Sequence, residues 1–261
     1  MVATVIFEDE HLNEIPVDFR PLNQMTTDCL MVESTCGKPV ACVFVRPATT
    51  KLPFTILVSH QNATDLGDHA FHTYPALQDV ADFLGCNMCM YDYTGYGLSK
   101  GSPNERNCYR NIRAVYSTLK AKYNITDDHL ILWGNSLGTA ITVDFAAELP
   151  QLRAVVLVAP FLSAIRVAVW MKGAASSYKC DQFCSIDKIS TVRARTLICH
   201  GVKDTIVPFY HALRLQAKLL NPSEPLFLTD CGHGNLEATE IFWMRIYNFL
   251  HQEINKAPKK R

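Results

Sequence analysis

Eight short apolar runs punctuate the chain: Cys29–Glu33, Val40–Val45, Phe54–Ser59, Asn87–Tyr93, Leu130–Gly134, Ala154–Ala159, Arg195–His200 and Leu226–Thr229. From the third onward they are nearly continuous in Val, Ile, Leu, Cys and Met, as strands covered by helices on both faces are. The first two flank Thr35-Cys36-Gly37-Lys38 and predict an antiparallel hairpin. Between the later runs the apolar period changes to that of a helix. Cys108, Ile112, Val115, Tyr116 and Leu119 fall at i, i+4, i+7, i+8 and i+11. Ser102-Pro103-Asn104-Glu105 predicts a capping box before them, with Pro at the first helical position. Phe242, Ile246, Phe249 and Leu250 repeat the helical pattern near the end. This alternation predicts an α/β fold, a mostly parallel eight-stranded sheet with helices on both faces and right-handed crossovers. No internal repeat or low-complexity linker interrupts it, so a single domain over residues 1–261 is expected.

Composition narrows the function classes. Lys plus Arg and Asp plus Glu are 25 each, so the formal net charge is zero and no basic footprint of a nucleic-acid binder is present. Residues 1–20 carry acids and no apolar stretch of the signal-peptide kind, and no run reaches a membrane span. Residue 2 is Val, which excludes N-myristoylation, and the C-terminus is no prenylation box. Of the ten cysteines, Cys42, Cys89 and Cys199 lie in apolar runs, where free Cys acts as a small hydrophobe. Cys86 and Cys89 have CxxC spacing but straddle a strand start, and Cys180 and Cys184 lack a His pair at zinc spacing. No metal site is expected from them, and a reducing, cytoplasmic compartment is the simplest reading. The basic tail Lys256–Arg261 reads as a solvated terminus, with a weak anionic-membrane or targeting patch as the alternative.

The chemistry enters with Gly134-Asn135-Ser136-Leu137-Gly138, a G-x-S-x-G motif between the apolar run Leu130–Trp133 and the helical stretch Thr139–Leu149. A nucleophilic serine on a strand-to-helix turn projects its hydroxyl above the sheet, and glycines two positions away avoid collision. The helix that follows aims its free N–H groups at a developing oxyanion. Serine needs a base. His233, in Asp230-Cys-Gly-His-Gly234, follows the last strand, and Asp204 follows the one before it. The order Ser…Asp…His at the carboxyl ends of strands is that of the α/β-hydrolase fold. Ser136, Asp204 and His233 are therefore the candidate triad, with His233 shuttling the serine proton and Asp204 orienting it.

The second oxyanion donor should come from the loop Ser59-His-Gln-Asn-Ala63. The backbone N–H groups of Asn62 and Leu137 are the candidates. His60 is read as a loop brace, and Asp92, in a Gly-rich turn, as a local hydrogen-bond anchor. An insertion of about 35 residues separates Ala159 from Arg195. Its apolar Phe161, Leu162, Ile165 and Trp170 predict a short helical lid over 161–193 that lines a substrate pocket. A helical packing element without a lid role fits the same pattern.

These residues resemble a known family. The runs Ser59–Gly67, Tyr91–Ser99, Gly134–Gly138, Cys184–Ser190 and His200–Asp204 are similar to those of the α/β-hydrolase domain-containing protein 17 family, over roughly residues 50–250. The resemblance implies a serine hydrolase that removes palmitate from cysteines of membrane proteins, with Ser136, Asp204 and His233 in the nucleophile, acid and base positions. An S-acylated protein is then the implied partner, and no metal or organic cofactor is implied. Two departures stand out. The family's N-terminal cysteine cluster, which attaches it to membranes, has no counterpart in residues 1–28, so peripheral membrane association is left open. The family's Gly after the loop histidine is Gln61 here, which bears on the oxyanion loop.

Two other readings stay open from the residues alone. One is a carboxylesterase or acylglycerol lipase acting on small or lipid esters. The other is a binding module that keeps the fold with little turnover.

Overall fold

All eight strands expected from the apolar runs are present, to within two residues at each end, in the computed structural model. It describes residues 6–7, 27–35, 37–69, 75–168 and 179–255. The strands are β1 (Ile6–Phe7), β2 (Thr27–Glu33), β3 (Pro39–Val45), β4 (Thr55–Ser59), β5 (Asn87–Tyr91), β6 (Leu130–Asn135), β7 (Ala154–Val158), β8 (Arg195–Gly201) and β9 (Leu226–Leu228). The described sheet thus has nine strands, in the order β1-β9-β8-β7-β6-β4-β5-β3-β2. The extra member, β1, pairs in parallel with β9. Two residues are too few to show a period, which is why the sequence pattern does not reveal it.

The hairpin forms as expected. β2 and β3 pair antiparallel from Thr27 opposite Val45 to Glu33 opposite Pro39. Gly37 takes a φ of +73° in the turn, where a side chain would be strained. β3 joins β5 antiparallel, and from β5 to β1 every pairing is parallel. In β4 and β7 every residue is buried.

Alternate strand residues feed two cores. Leu57, Leu132, Val155, Leu157, Ile198 and Phe227 face α2 (Glu105–Tyr123), α3 (Leu137–Ala146) and α6 (Tyr210–Gln216). Ile56, Val58, Ile131, Trp133, Val156 and Leu197 face α1 (Leu77–Leu84) and α7 (Glu240–Asn248) on the other side. This is the two-layered covering that the apolar runs called for.

The helix α2 starts later than expected. Asn104 caps it, its side chain accepting the Asn107 N–H at 2.9 Å. Asn outcompetes the Ser102-Pro103 pair because its carbonyl sits two residues nearer the first free N–H groups. Asn124, at φ +54°, ends the helix in the left-handed conformation that Asn tolerates.

After β7 the insertion carries α4 (Ala164–Ala168) and α5 (Ser185–Lys188). Trp170 lies outside the described residues, as does the tail 256–261. The neck of the insertion is clasped. Asp181 takes the Ile165 N–H at 3.0 Å and pairs with the buried Arg166 at 3.3 Å, and the Ala164 N–H donates to the Gln182 carbonyl at 2.9 Å. Arg166 also reaches Ser163 Oγ at 2.9 Å. Removing one partner of a buried pair leaves the other charge dehydrated. Asp181→Ala is expected to cost about 3 kcal/mol, read as a lower midpoint in urea denaturation. An unshifted midpoint would mean the clasp adds nothing.

Candidate active site

The chain runs from β4 to β5 on one side and then returns to β6 on the other. The crevice at the carboxyl ends of β4 and β6 is therefore a topological switch point, where sites form in open α/β sheets. β6 delivers Ser136 there. Its backbone is at φ +48°, ψ −112°, a strained conformation for a residue with a side chain. The strain is held from both directions. The Ser136 N–H donates to the Val158 carbonyl at 2.9 Å, and the Ser136 carbonyl accepts from Thr139 N–H and Oγ1, at 3.0 and 2.6 Å.

The flanking glycines are required by close approach. A Cβ on Gly138 would sit 1.9 Å from the Ser59 carbonyl oxygen, and one on Gly134 would meet Gly138 backbone at 2.5 Å. The end of β4 is thus packed directly onto the start of α3.

The structure brings the three expected residues together. His233 Nε2 is 3.0 Å from Ser136 Oγ, and His233 Nδ1 is 2.7 Å from Asp204 Oδ2. Asp204 is buried, and its other oxygen, Oδ1, accepts the N–H groups of Ile206 and Val207 at 2.9 and 2.8 Å. His200, which is fully buried, places Nε2 at 3.3 Å from Oδ2 and 2.9 Å from the Val207 carbonyl. Burial by itself would raise the Asp204 pKa, but the hydrogen bonds from His200, His233 and Val207 overcome it and hold the carboxyl well below the usual range. His200 as a further ligand of Asp204 was not anticipated from the sequence. A His at the end of a buried strand carries no signal separating it from any other core residue.

The remaining expectations divide. Leu137 opens α3, where the first N–H groups have no acceptor within the helix. Asn62 faces a neighbouring hollow shared with Tyr96, whose hydroxyl donates to its side chain. Gln61, not Asn62, lines the cavity beside Ser136, and its Oε1 is buried with no hydrogen-bond partner. That cavity measures about 100 Å³ and also has Asn135, Val158, His233 and Glu237 in its walls.

Two of the four residues expected to line a lid pocket, Phe161 and Leu162, lie in the core, and Trp170 lies outside the described residues. Phe161 packs with Ala140 and Val207, and Leu162 is 1% exposed in the core beside α2 and α3. They follow β7 immediately and are drawn into the sheet's own packing. Ile165 is half-buried on α4.

His60 and Asp92 hold loops, as their positions suggested. The His60 ring lies 4.3 Å from that of Tyr93, and its Nδ1 is 2.7 Å from the Gln61 carbonyl. Asp92 accepts the Leu66 N–H at 2.9 Å and also the Leu98 N–H. Burial pushes the pKa of His60 down to about 4, and that of Asp92 up to about 6. Their 3.6 Å approach is therefore no ion pair at neutral pH. Burial also lowers His211 to about 4.

These shifts have a stability consequence. Both histidines are kept neutral by the fold, so their contribution is complete above pH 6.5 and is lost as pH falls toward 4. Asp92 acts oppositely, gaining stability as pH falls from 6 toward 3.8. Two histidines outweigh one carboxyl. A net loss of about 3 kcal/mol is expected between pH 6.5 and 4, measurable as a falling Tm. A Tm that holds or rises across that window would contradict it.

The buried thiols are unreactive by environment. Cys86 is pushed up to about 12 by burial, and Cys42 and Cys89 lie Sγ to Sγ at 3.2 Å as free thiols. Among the described residues no group of three or more His, Cys, Asp or Glu could hold a metal, and no helix is long and apolar enough to cross a membrane.

Comparison with known proteins agrees with this architecture. Residues 66–180 match the family described as serine aminopeptidase, S33. An esterase of Pyrococcus furiosus superposes with a TM-score of 0.71 at 16% identity, covering 91% of this chain and 97% of the esterase. An α/β serine hydrolase homologue of Coxiella burnetii does so with 0.66 at 17% identity, over 89% and 100%. At such identities the likeness establishes the fold. The sequence relatives say more. Alpha/beta hydrolase domain-containing protein 17B of Xenopus tropicalis and that of Homo sapiens are each 36% identical over 228 residues, which is 87% of this chain and 76% of theirs. At that identity and coverage, the chain belongs to the α/β-hydrolase domain-containing protein 17 family.

Proposed function

We propose that this chain is a serine hydrolase that cleaves an acyl thioester or ester through an acyl-enzyme on Ser136. The observation that carries the reading is the continuous relay from Ser136 Oγ through His233 to Asp204, at 3.0 and 2.7 Å. Ser136 Oγ attacks the acyl carbon while His233 Nε2 takes its proton. The same nitrogen returns that proton to the departing sulfur or oxygen, and water repeats the cycle to release the acid. Asp204, kept ionised by its hydrogen bonds, steadies the imidazolium. The Leu137 N–H and a donor from the Gln61–Asn62 loop receive the oxyanion.

Within this class, family membership favours the S-palmitoylated cytosolic cysteines of membrane proteins as substrate. A second reading, hydrolysis of short esters, is favoured by the roughly 100 Å³ cavity, smaller than the 300–1,000 Å³ of ordinary ligand pockets. The binding-module reading has the close-set relay against it. A fluorophosphonate probe tests the class, since labelling of Ser136 requires an activated hydroxyl. Release of palmitate from an S-palmitoyl peptide, set against short p-nitrophenyl esters, tests the substrate. Turnover of short esters alone would reject the depalmitoylase reading.

A further inference from the structure

The wall of the Ser136 cavity holds a carboxyl that the relay does not use. Glu237 stands four residues beyond His233, in the 3-10 turn Leu236–Ala238. Its Oε1 accepts from Asn135 Nδ2 at 3.0 Å, and Asn135 in turn accepts from Trp133 Nε1 at 2.7 Å. Its backbone carbonyl accepts from Trp243 Nε1, also at 2.7 Å. Side chain and main chain are thus both held, and the carboxyl is fixed in the wall of the cavity that Ser136 and His233 share. Among the described residues no Lys, Arg or His makes an ion pair with it. Burial raises its pKa, the mark of a carboxylate short of water. Gln61 also lines this cavity.

A carboxylate in the wall of a small cavity, with no cationic partner of its own, gains when a ligand brings positive charge to it. The side of the substrate follows from the chemistry. The departing atom must receive its proton from His233 Nε2, so the leaving group lies toward the histidine loop, where Glu237 is. We infer that Glu237 determines specificity by making this cavity a receptor for leaving groups that carry an ammonium. The inference rests on the roles of Ser136 and His233 proposed above, and it deepens them without adding any covalent step.

The test compares a choline ester with the 3,3-dimethylbutyl ester of the same acid, which has the same shape without the charge. Each kcat/KM is divided by the ester's rate of hydrolysis by hydroxide, to remove intrinsic reactivity. Wild type is expected to favour the choline ester by about tenfold or more, and Glu237→Gln, which keeps an acceptor for Asn135, is expected to bring the ratio near one. A wild-type ratio near one, or a preference that survives in Glu237→Gln, overturns the inference. A second measurement needs no variant: tetramethylammonium ion should compete with the neutral ester on wild type far better than tert-butyl alcohol does. Equal inhibition by the two overturns it as well. If wild type turns over neither ester and the fluorophosphonate probe leaves Ser136 unlabelled, it is the hydrolase reading that falls, and this inference with it.

Discussion

Ser136→Ala lowers kcat/KM by on the order of 10⁵ to 10⁶-fold and abolishes labelling by a fluorophosphonate probe. The size follows from the relay acting as a unit. Without the hydroxyl, His233 has no proton to take, and the acyl-enzyme route closes. For the same reason His233→Ala is expected to cost about as much, and the double variant little more than either alone. The fold should be indifferent. The Ser136 side chain makes its hydrogen bond to His233, while the corner itself is held by backbone bonds to Val158 and Thr139. Alanine keeps those, so stability should change by less than about 0.5 kcal/mol. The measurements are ester kinetics, probe labelling and urea denaturation on the same preparation. A variant that keeps a hundredth or more of wild-type activity would place the nucleophile elsewhere.

Asp204→Asn costs less than loss of either relay partner, about 10⁴-fold in kcat with little change in KM. Asn can still accept the Ile206 and Val207 N–H groups that Asp204 Oδ1 accepts. Its amide nitrogen then takes the place of Oδ2 and faces His233 Nδ1 as a donor. The imidazole must respond by accepting there, which puts its proton on Nε2. A protonated Nε2 cannot receive the serine proton. The loss is thus one of tautomer, not of geometry. It separates from simple unfolding because the cooperative unfolding transition remains. A loss of only a few-fold would mean that His233 takes its orientation from elsewhere.

Much of this was legible in the residues because two signals reinforced one another. The central strands are buried on both faces, so their apolar runs are unbroken and hard to mistake. The three relay residues each stand just past such a run, in the order Ser, Asp, His. What escaped had no local signal. The two-residue β1 is too short for a period. Glu237 and Gln61 share the nucleophile's cavity only because β6, the loop after β4 and the histidine loop converge, and sequence spacing does not encode that convergence. Phe161 and Leu162 were legible as apolar but not as core. The same hydrophobicity serves a lid or a sheet, and the short distance to β7 decides it.

One contact orders the whole site mechanically. Because Gly138 lets the nucleophile's helix rest on the Ser59 carbonyl, the attacking oxygen and the loop that follows β4 move as one block. The imidazole belongs to another, carried by the turn after β9. A side chain added at Gly138 would therefore displace the attacking oxygen and the cradle for the acyl oxygen together. An engineer seeking new leaving groups has room at Gly234 on the histidine turn, where an added Cβ meets nothing within 4 Å, and almost none at the corner.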